Sequence, residues 1–234
     1  MTRQIQLKSL NLFAVCSSMM LFIFAWFGVV LIPQGTPYDA TFKRMALTIL
    51  LILLTKHFDK DLKIKLSEMY RNFDVKNFIY SLIGVPVYLF SVECLKYQKI
   101  VSLDFSDENF QRYISLFFLA LFEEMLTRGW GYTAFWSVFD KQEKNFKAFK
   151  LFNKFSITKS ELKAVLLTNL FFAIFHLQTF IMIYKYDFLY TLAACIDVFI
   201  IGVFFTLIFK KTKSMWNVIA VHFIWDYILG LIVH

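Results

Sequence analysis

Residues 188–209 read FLYTLAACIDVFIIGVFFTLIF, 22 positions with one charged side chain, Asp197. A helix of about 20 residues covers the roughly 30 Å of hydrocarbon in a bilayer. This block therefore predicts a membrane-crossing helix. Working outward, similar blocks lie at roughly 10–32, 43–55, 77–95, 113–139, 164–184 and 215–233. The segment 43–55 is short and fits a tilted or partly re-entrant helix. Composition agrees: the 234 residues are 59% hydrophobic and 20% aromatic, where a soluble domain has about 45–50% apolar residues. Seven glycines and three prolines exclude a fibrous or disordered chain. The expected fold is all-α, a polytopic transmembrane helical bundle of about seven spans. No internal repeat or low-complexity linker divides it, so residues 1–234 are read as one membrane domain.

The net charge is +8, which in a soluble protein would point to nucleic acid. Here the lysines lie in short loops between apolar blocks, and no basic stretch is free to form a groove, so nucleic acid is not an expected partner. With the N-terminus cytoplasmic and all seven segments crossing, 18 of the 25 basic residues fall on the cytoplasmic side. They are Arg3, Lys8, six between Lys56 and Lys76, seven between Lys141 and Lys163, and Lys210, Lys211 and Lys213. Six fall opposite: Lys43, Arg44, Lys96, Lys99, Arg112 and Lys185. That bias is the positive-inside pattern. It predicts an integral membrane protein, N-terminus in and C-terminus out, with a bacterial plasma membrane as the expected location. The first block is too long, and lacks a small-residue cleavage site, for a removable signal peptide. Cys16, Cys94 and Cys195 show no C-x-x-C spacing, so neither a disulfide framework nor a thiolate zinc site is expected. Segment 144–157, KNFKAFKLFNKFSI, spaces its lysines by three or four, which predicts a basic helix at the lipid interface.

Charged residues at membrane depth cost roughly 2.5–3.5 kcal/mol each and are functional candidates by default. The fourth block contains FFLALFEEMLTRGWGYTAF, with Glu123, Glu124 and Arg128 inside it. Glu124 and Arg128 are four apart, on one helical face, and can neutralise each other. Glu123 points about 100° away and has no such partner in its own helix, which makes it the candidate general base. The fifth block, AVLLTNLFFAIFHLQTF, carries His176 mid-helix, with Phe172 one turn and Asn169 two turns earlier. The last, MWNVIAVHFIWDYILG, carries His222 and Asp226 four apart, and a carboxylate so placed can fix a histidine's tautomer. Any of these alone fits a structural role. Together, on separate helices, they are hard to explain as lipid packing. Glu93 and Asp197 have no sequence-local partner; Asp197 is expected to face the bundle. His57 and His234 fall at span ends and carry no signal.

Glu123-Glu124-x-x-x-Arg128, then Phe172-x-x-x-His176, then His222-x-x-x-Asp226 resemble the motifs of the CAAX prenyl protease and bacteriocin-processing (CPBP, or Abi) membrane peptidases. The run GVFFTLIFKKTKSMWNVIAVH, Gly202 to His222, also resembles that family's approach to its last motif. The resemblance covers about 110–230. Two features depart from it. Asp226 stands where the prenyl-protease branch usually has Asn, and a helix the family makes Gly-rich has only Gly202.

The resemblance implies peptide hydrolysis by water without a covalent intermediate. Glu123 and His176 would hold and deprotonate the water, His222 with Asp226 would bind the oxyanion, and Glu124 with Arg128 would order the helix. No Ser or Cys has a histidine in sequence reach, so an acyl-enzyme is unsupported. Two histidines and a glutamate also form a zinc donor set, but H-E-x-x-H is missing, and the preferred reading needs no cofactor. The expected partners are the bilayer and a membrane-associated peptide or protein substrate. The alternatives are a non-enzymatic immunity or scaffold member of the family, or a proton-coupled transporter.

Overall fold

The computed structural model describes residues 10–31, 39–71, 73–83, 102–103, 110–142, 149–151 and 155–233. These are mostly α-helical. Helix α1 is Leu12–Leu31, α2 is Asp39–His57, and α3 is described over 75–83. Helix α4 runs Phe110–Glu124, continues as a π-helix over Met125–Tyr132 and resumes as Thr133–Gln142. Helix α5 is Lys159–Gln178 with a π-helical extension at Thr179–Ile183. Helices α6 and α7 are Phe188–Thr212 and Met215–Leu231.

The helix ends follow from local chemistry. Thr158 and Glu161 form a reciprocal capping box that starts α5. Asp187 caps α6, accepting from the Tyr190 N–H. At the other end of α6, Lys210 and Lys211 sit in the last turn and Lys213 takes the left-handed conformation that stops it. Outside the apolar helices, Asp74 accepts from the backbone and side chain of Asn77, which holds its carboxyl below the usual range.

Helices α5 (with its π extension) and α6 are long and apolar enough to cross a membrane, and α1 and α7 hold shorter apolar stretches. The outer faces are apolar: Phe13, Leu21, Phe42 and Phe188 are each exposed. The inner faces hold Arg128, Asn169 and Thr206, all at 0% exposure. Such an apolar exterior around a polar interior suits a lipid environment.

Three expectations need correction. Helix α2 is 19 residues long rather than 13, because it begins with the polar stretch 39–44, which a hydropathy count excludes. Arg44 therefore sits within a helix, half-buried, and not in a loop. The basic segment does not form the expected interfacial helix over its described part. Phe149–Leu151 (β2) pairs antiparallel with Phe155–Ile157 (β3), Lys150 opposite Ser156. Apolar residues alternate with Lys150 and with Ser156 at a period of two, a strand signal that the lysine spacing obscured. A second short pair joins Ser102–Leu103 (β1) to Ile232–Val233 (β4). Glu93, Cys94 and His234 lie outside the described residues, as do Arg3, Lys8, Lys96, Lys99 and part of the third block.

Candidate active site

The sequence pattern leaves each polar residue isolated on its own helix. Packing α4 against α7 and α5 brings them together. Glu124 Oε1 accepts from Arg128 Nη1 at 3.1 Å on the same helix. It also lies 2.6 Å from His222 Nδ1, which comes from α7. A carboxylate oxygen accepts, so Nδ1 carries the proton, and His222 turns Nε2 toward the other acids. Nε2 lies 3.6 Å from Glu123 Oε2 and 3.6 Å from Asp226 Oδ2. The tautomer is thus fixed by Glu124, across the helix interface. This differs from the expected role of Asp226, which sits beside the opposite nitrogen.

His176 is ordered in a similar way by its own helix. Its Nδ1 faces the Phe172 carbonyl at 2.9 Å. A carbonyl only accepts, so Nδ1 donates and Nε2 presents its lone pair, 3.7 Å from Glu123 Oε2. Glu123 therefore stands between two imidazole nitrogens from two other helices, and its side chain is almost fully buried. Phe172 packs edge-on to His176 with centroids 4.6 Å apart and also edges His222. All six sequence-predicted residues, Glu123, Glu124, Arg128, His176, His222 and Asp226, fall in this one cluster.

Beneath it, Arg128 is fully buried and uses all three nitrogens. Nη1 donates to Glu124 and, at 2.7 Å, to Thr127. Nη2 donates to Asn169 Oδ1 at 3.1 Å and to the Gly202 carbonyl at 2.5 Å. Nε donates to Thr206 at 3.3 Å. The guanidinium is sandwiched by the rings of Phe172 and Phe205. Thr206, Phe205 and Gly202 all come from α6; Gly202 was noted in the sequence as the one glycine of a helix the family makes Gly-rich, and Thr206 and Phe205 were missed. Each looks like ordinary lipid-span content, and their only signal was the i, i+4 spacing of Gly202 and Thr206. Asp197 lies half-buried further up α6.

The π-helical stretch of α4 begins one residue after Glu124, and that of α5 three residues after His176. π-Helical turns free carbonyls from their usual partners and recur at functional sites. Here Thr133 donates to the Gly129 carbonyl, and Thr127 donates to the Glu123 carbonyl at 2.6 Å, keeping buried backbone satisfied. As for a metal, no group of three or more His, Cys, Asp or Glu side chains among the described residues is gathered into a preformed cage.

A helical bundle that buries Glu123, Glu124 and His222, with His176 and Asp226 partly buried beside them, inside an apolar exterior, defines the class: a membrane protein with a polar, acid-and-imidazole centre. The chain matches the family model described as type II CAAX prenyl endopeptidase Rce1-like over residues 108–228, and it belongs to that family. The match runs through all three motifs. No curated protein and no solved structure matches the chain significantly. Membership makes this an integral membrane protein of the CAAX-protease type.

Proposed function

We propose that the protein is an intramembrane endopeptidase that hydrolyses a membrane-associated peptide or protein tail with a water activated by Glu123. The observation that carries this reading is the placement of Glu123 Oε2 between His176 Nε2 and His222 Nε2, at 3.7 and 3.6 Å. A water hydrogen-bonded to Glu123 and His176 would lose its proton to Glu123 as its oxygen attacks the scissile carbonyl carbon. His222, flanked by the carboxylates of Glu124 and Asp226, can carry a second proton on Nε2. That N–H donates to the developing oxyanion, a contribution of about 2.7–4 kcal/mol for one preorganised donor. The C–N bond then breaks, and the proton held by Glu123 passes to the leaving amine. Glu124 and Arg128 act by holding His222 and the helices in place.

The proposed orientation has the N-terminus cytoplasmic, all seven helices crossing and a bacterial plasma membrane as host. The substrate class is a short membrane peptide, such as a bacteriocin or pheromone precursor, or a lipidated tail. The reading is metal-free; were a cation such as zinc bound, Glu123, His176 and His222 would be its ligands. Purified protein in liposomes is expected to cleave a lipidated peptide at an undiminished rate in excess chelator. Loss of cleavage, restored by added zinc, would replace the metal-free mechanism with a metal-assisted one. An immunity or scaffold role on the same fold would leave no cleavage under either condition.

A further inference from the structure

Helices α4, α5 and α6 leave a cleft of about 400 Å³ between them on the outside of the bundle. Phe139 of α4, Lys163, Leu166, Leu167 and Leu170 of α5, and Phe199 of α6 line it. Lys163 is the one lining residue that is not apolar. Leu166 and Leu170 follow it on α5 at three and seven positions, along one face of the helix, and both are exposed. The Lys163 ammonium lies over the Phe139 ring, 5.8 Å from its centroid, so the charge is held at the edge of the cleft.

Depth and charge decide what fits. Lys163 and Leu170 are seven residues apart, about 10 Å along the axis at 1.5 Å per residue. The hydrocarbon of one leaflet is about 15 Å thick, so the cleft follows an acyl chain over most of its depth. Its cation lies at the end of α5 where basic residues gather. Lys159 is one turn earlier, and Lys210, in the last turn of α6, reaches Glu161 at 2.7 Å. Basic pockets between membrane helices take anionic lipid headgroups. A zwitterionic lipid carries its own cation beside the phosphate and gains less from Lys163. A lipidated substrate fits poorly, because Lys163 precedes His176 by 13 residues, about 20 Å along α5. A headgroup held there is far from Glu123.

We propose that this cleft binds one anionic phospholipid, its acyl chain packed between α4, α5 and α6 and its phosphate on Lys163. The site is independent of the peptidase reading. Such a lipid joins the three helices that supply Arg128, Asn169 and Gly202, so its binding stabilises the folded bundle by linkage.

Full-length protein in detergent is titrated with dioleoylphosphatidylglycerol or dioleoylphosphatidylcholine, which share their acyl chains and differ in headgroup charge. Native mass spectrometry counts retained lipid, and a melting curve reads stabilisation. Wild type is expected to retain one phosphatidylglycerol about five-fold more tightly than phosphatidylcholine, the worth of one lysine at an anionic headgroup, and to melt higher with it. Lys163→Gln should bind the two alike, and Lys163→Arg should keep the preference. Lys185→Gln, beyond the far end of α5, should keep it too. Leu170→Trp, which fills the cleft from an exposed position, should weaken both lipids. Equal binding by wild type, or a preference that survives Lys163→Gln, overturns the proposal. So does lipid binding by Leu170→Trp equal to wild type, which would reduce the effect to surface charge. Displacement of phosphatidylglycerol by a farnesylated peptide would assign the cleft to substrate, and a dimer broken by Leu170→Trp would assign it to a second copy. Either result overturns the proposal as well. Should a variant not fold, the wild-type comparison of the two lipids decides.

Discussion

Arg128 carries a full charge into an apolar interior by meeting Glu124, Thr127, Asn169, Thr206 and the Gly202 carbonyl at once. Removing one partner of a buried pair leaves an uncompensated charge and costs about 3–5 kcal/mol. Arg128→Met should therefore lower stability strongly, and a melting curve in detergent reads it directly. A variant that melts like wild type would show that Glu124 is held adequately by His222 alone. The charged members of the site were legible in the sequence because apolar blocks make each Glu, Arg and His conspicuous. Their neighbours were not. Thr206, Phe205 and Gly202 gain meaning only when α6 is laid against Arg128, and Arg44 was read as a loop cation because its helix begins with charged residues. Glu124 had been paired with Arg128 from spacing, but its second bond, to His222, crosses 98 positions of sequence, which no periodicity reveals.

At the scale of elements, α5 and α6 make the densest contact in the described structure, and one glycine permits it. A Cβ on Gly202 would collide with the Asn169 side chain and lie 2.9 Å from the Phe172 ring. A single glycine at the crossing is therefore sufficient, although the family pattern has several on that helix. Gly202→Ala is expected to destabilise by about 1–3 kcal/mol, as overpacking does, and to reduce activity through the displaced Phe172. Gly28→Ala in α1 is the matched control, since nothing lies within 4 Å of its added Cβ. Equal melting temperatures for the two variants would show that α5 and α6 can move apart freely. The strand pair at 149–157 carries the opposite lesson. Charge spacing and apolar spacing gave different periods there, and the apolar one governs the fold, because it lets Ile157 be buried and removes apolar surface from water.

For the whole molecule, the arrangement of charges predicts a topology. Single cysteines introduced into a Cys16→Ser, Cys94→Ser, Cys195→Ser background report it through an impermeant thiol reagent on intact cells. Positions 60 and 141, flanked by the basic loops, should be protected until the cells are opened, and position 185 should label at once. The reverse pattern would invert the orientation. The all-α class was accessible from the apolar blocks, since a span of about 20 residues is a property of the bilayer. The arrangement of helices around the site was not, because it depends on which inner faces fit together.

The claim that this cluster hydrolyses peptides is tested most directly by comparing the membrane-associated and secreted peptides of host cells expressing wild type or Glu123→Gln. The substitution preserves size and hydrogen bonding while removing the base. Mass spectrometry is expected to find a precursor accumulating in Glu123→Gln cells and its shorter product in wild-type cells. Identical peptides in both, with the two proteins present at equal levels, would contradict a hydrolytic role for the site.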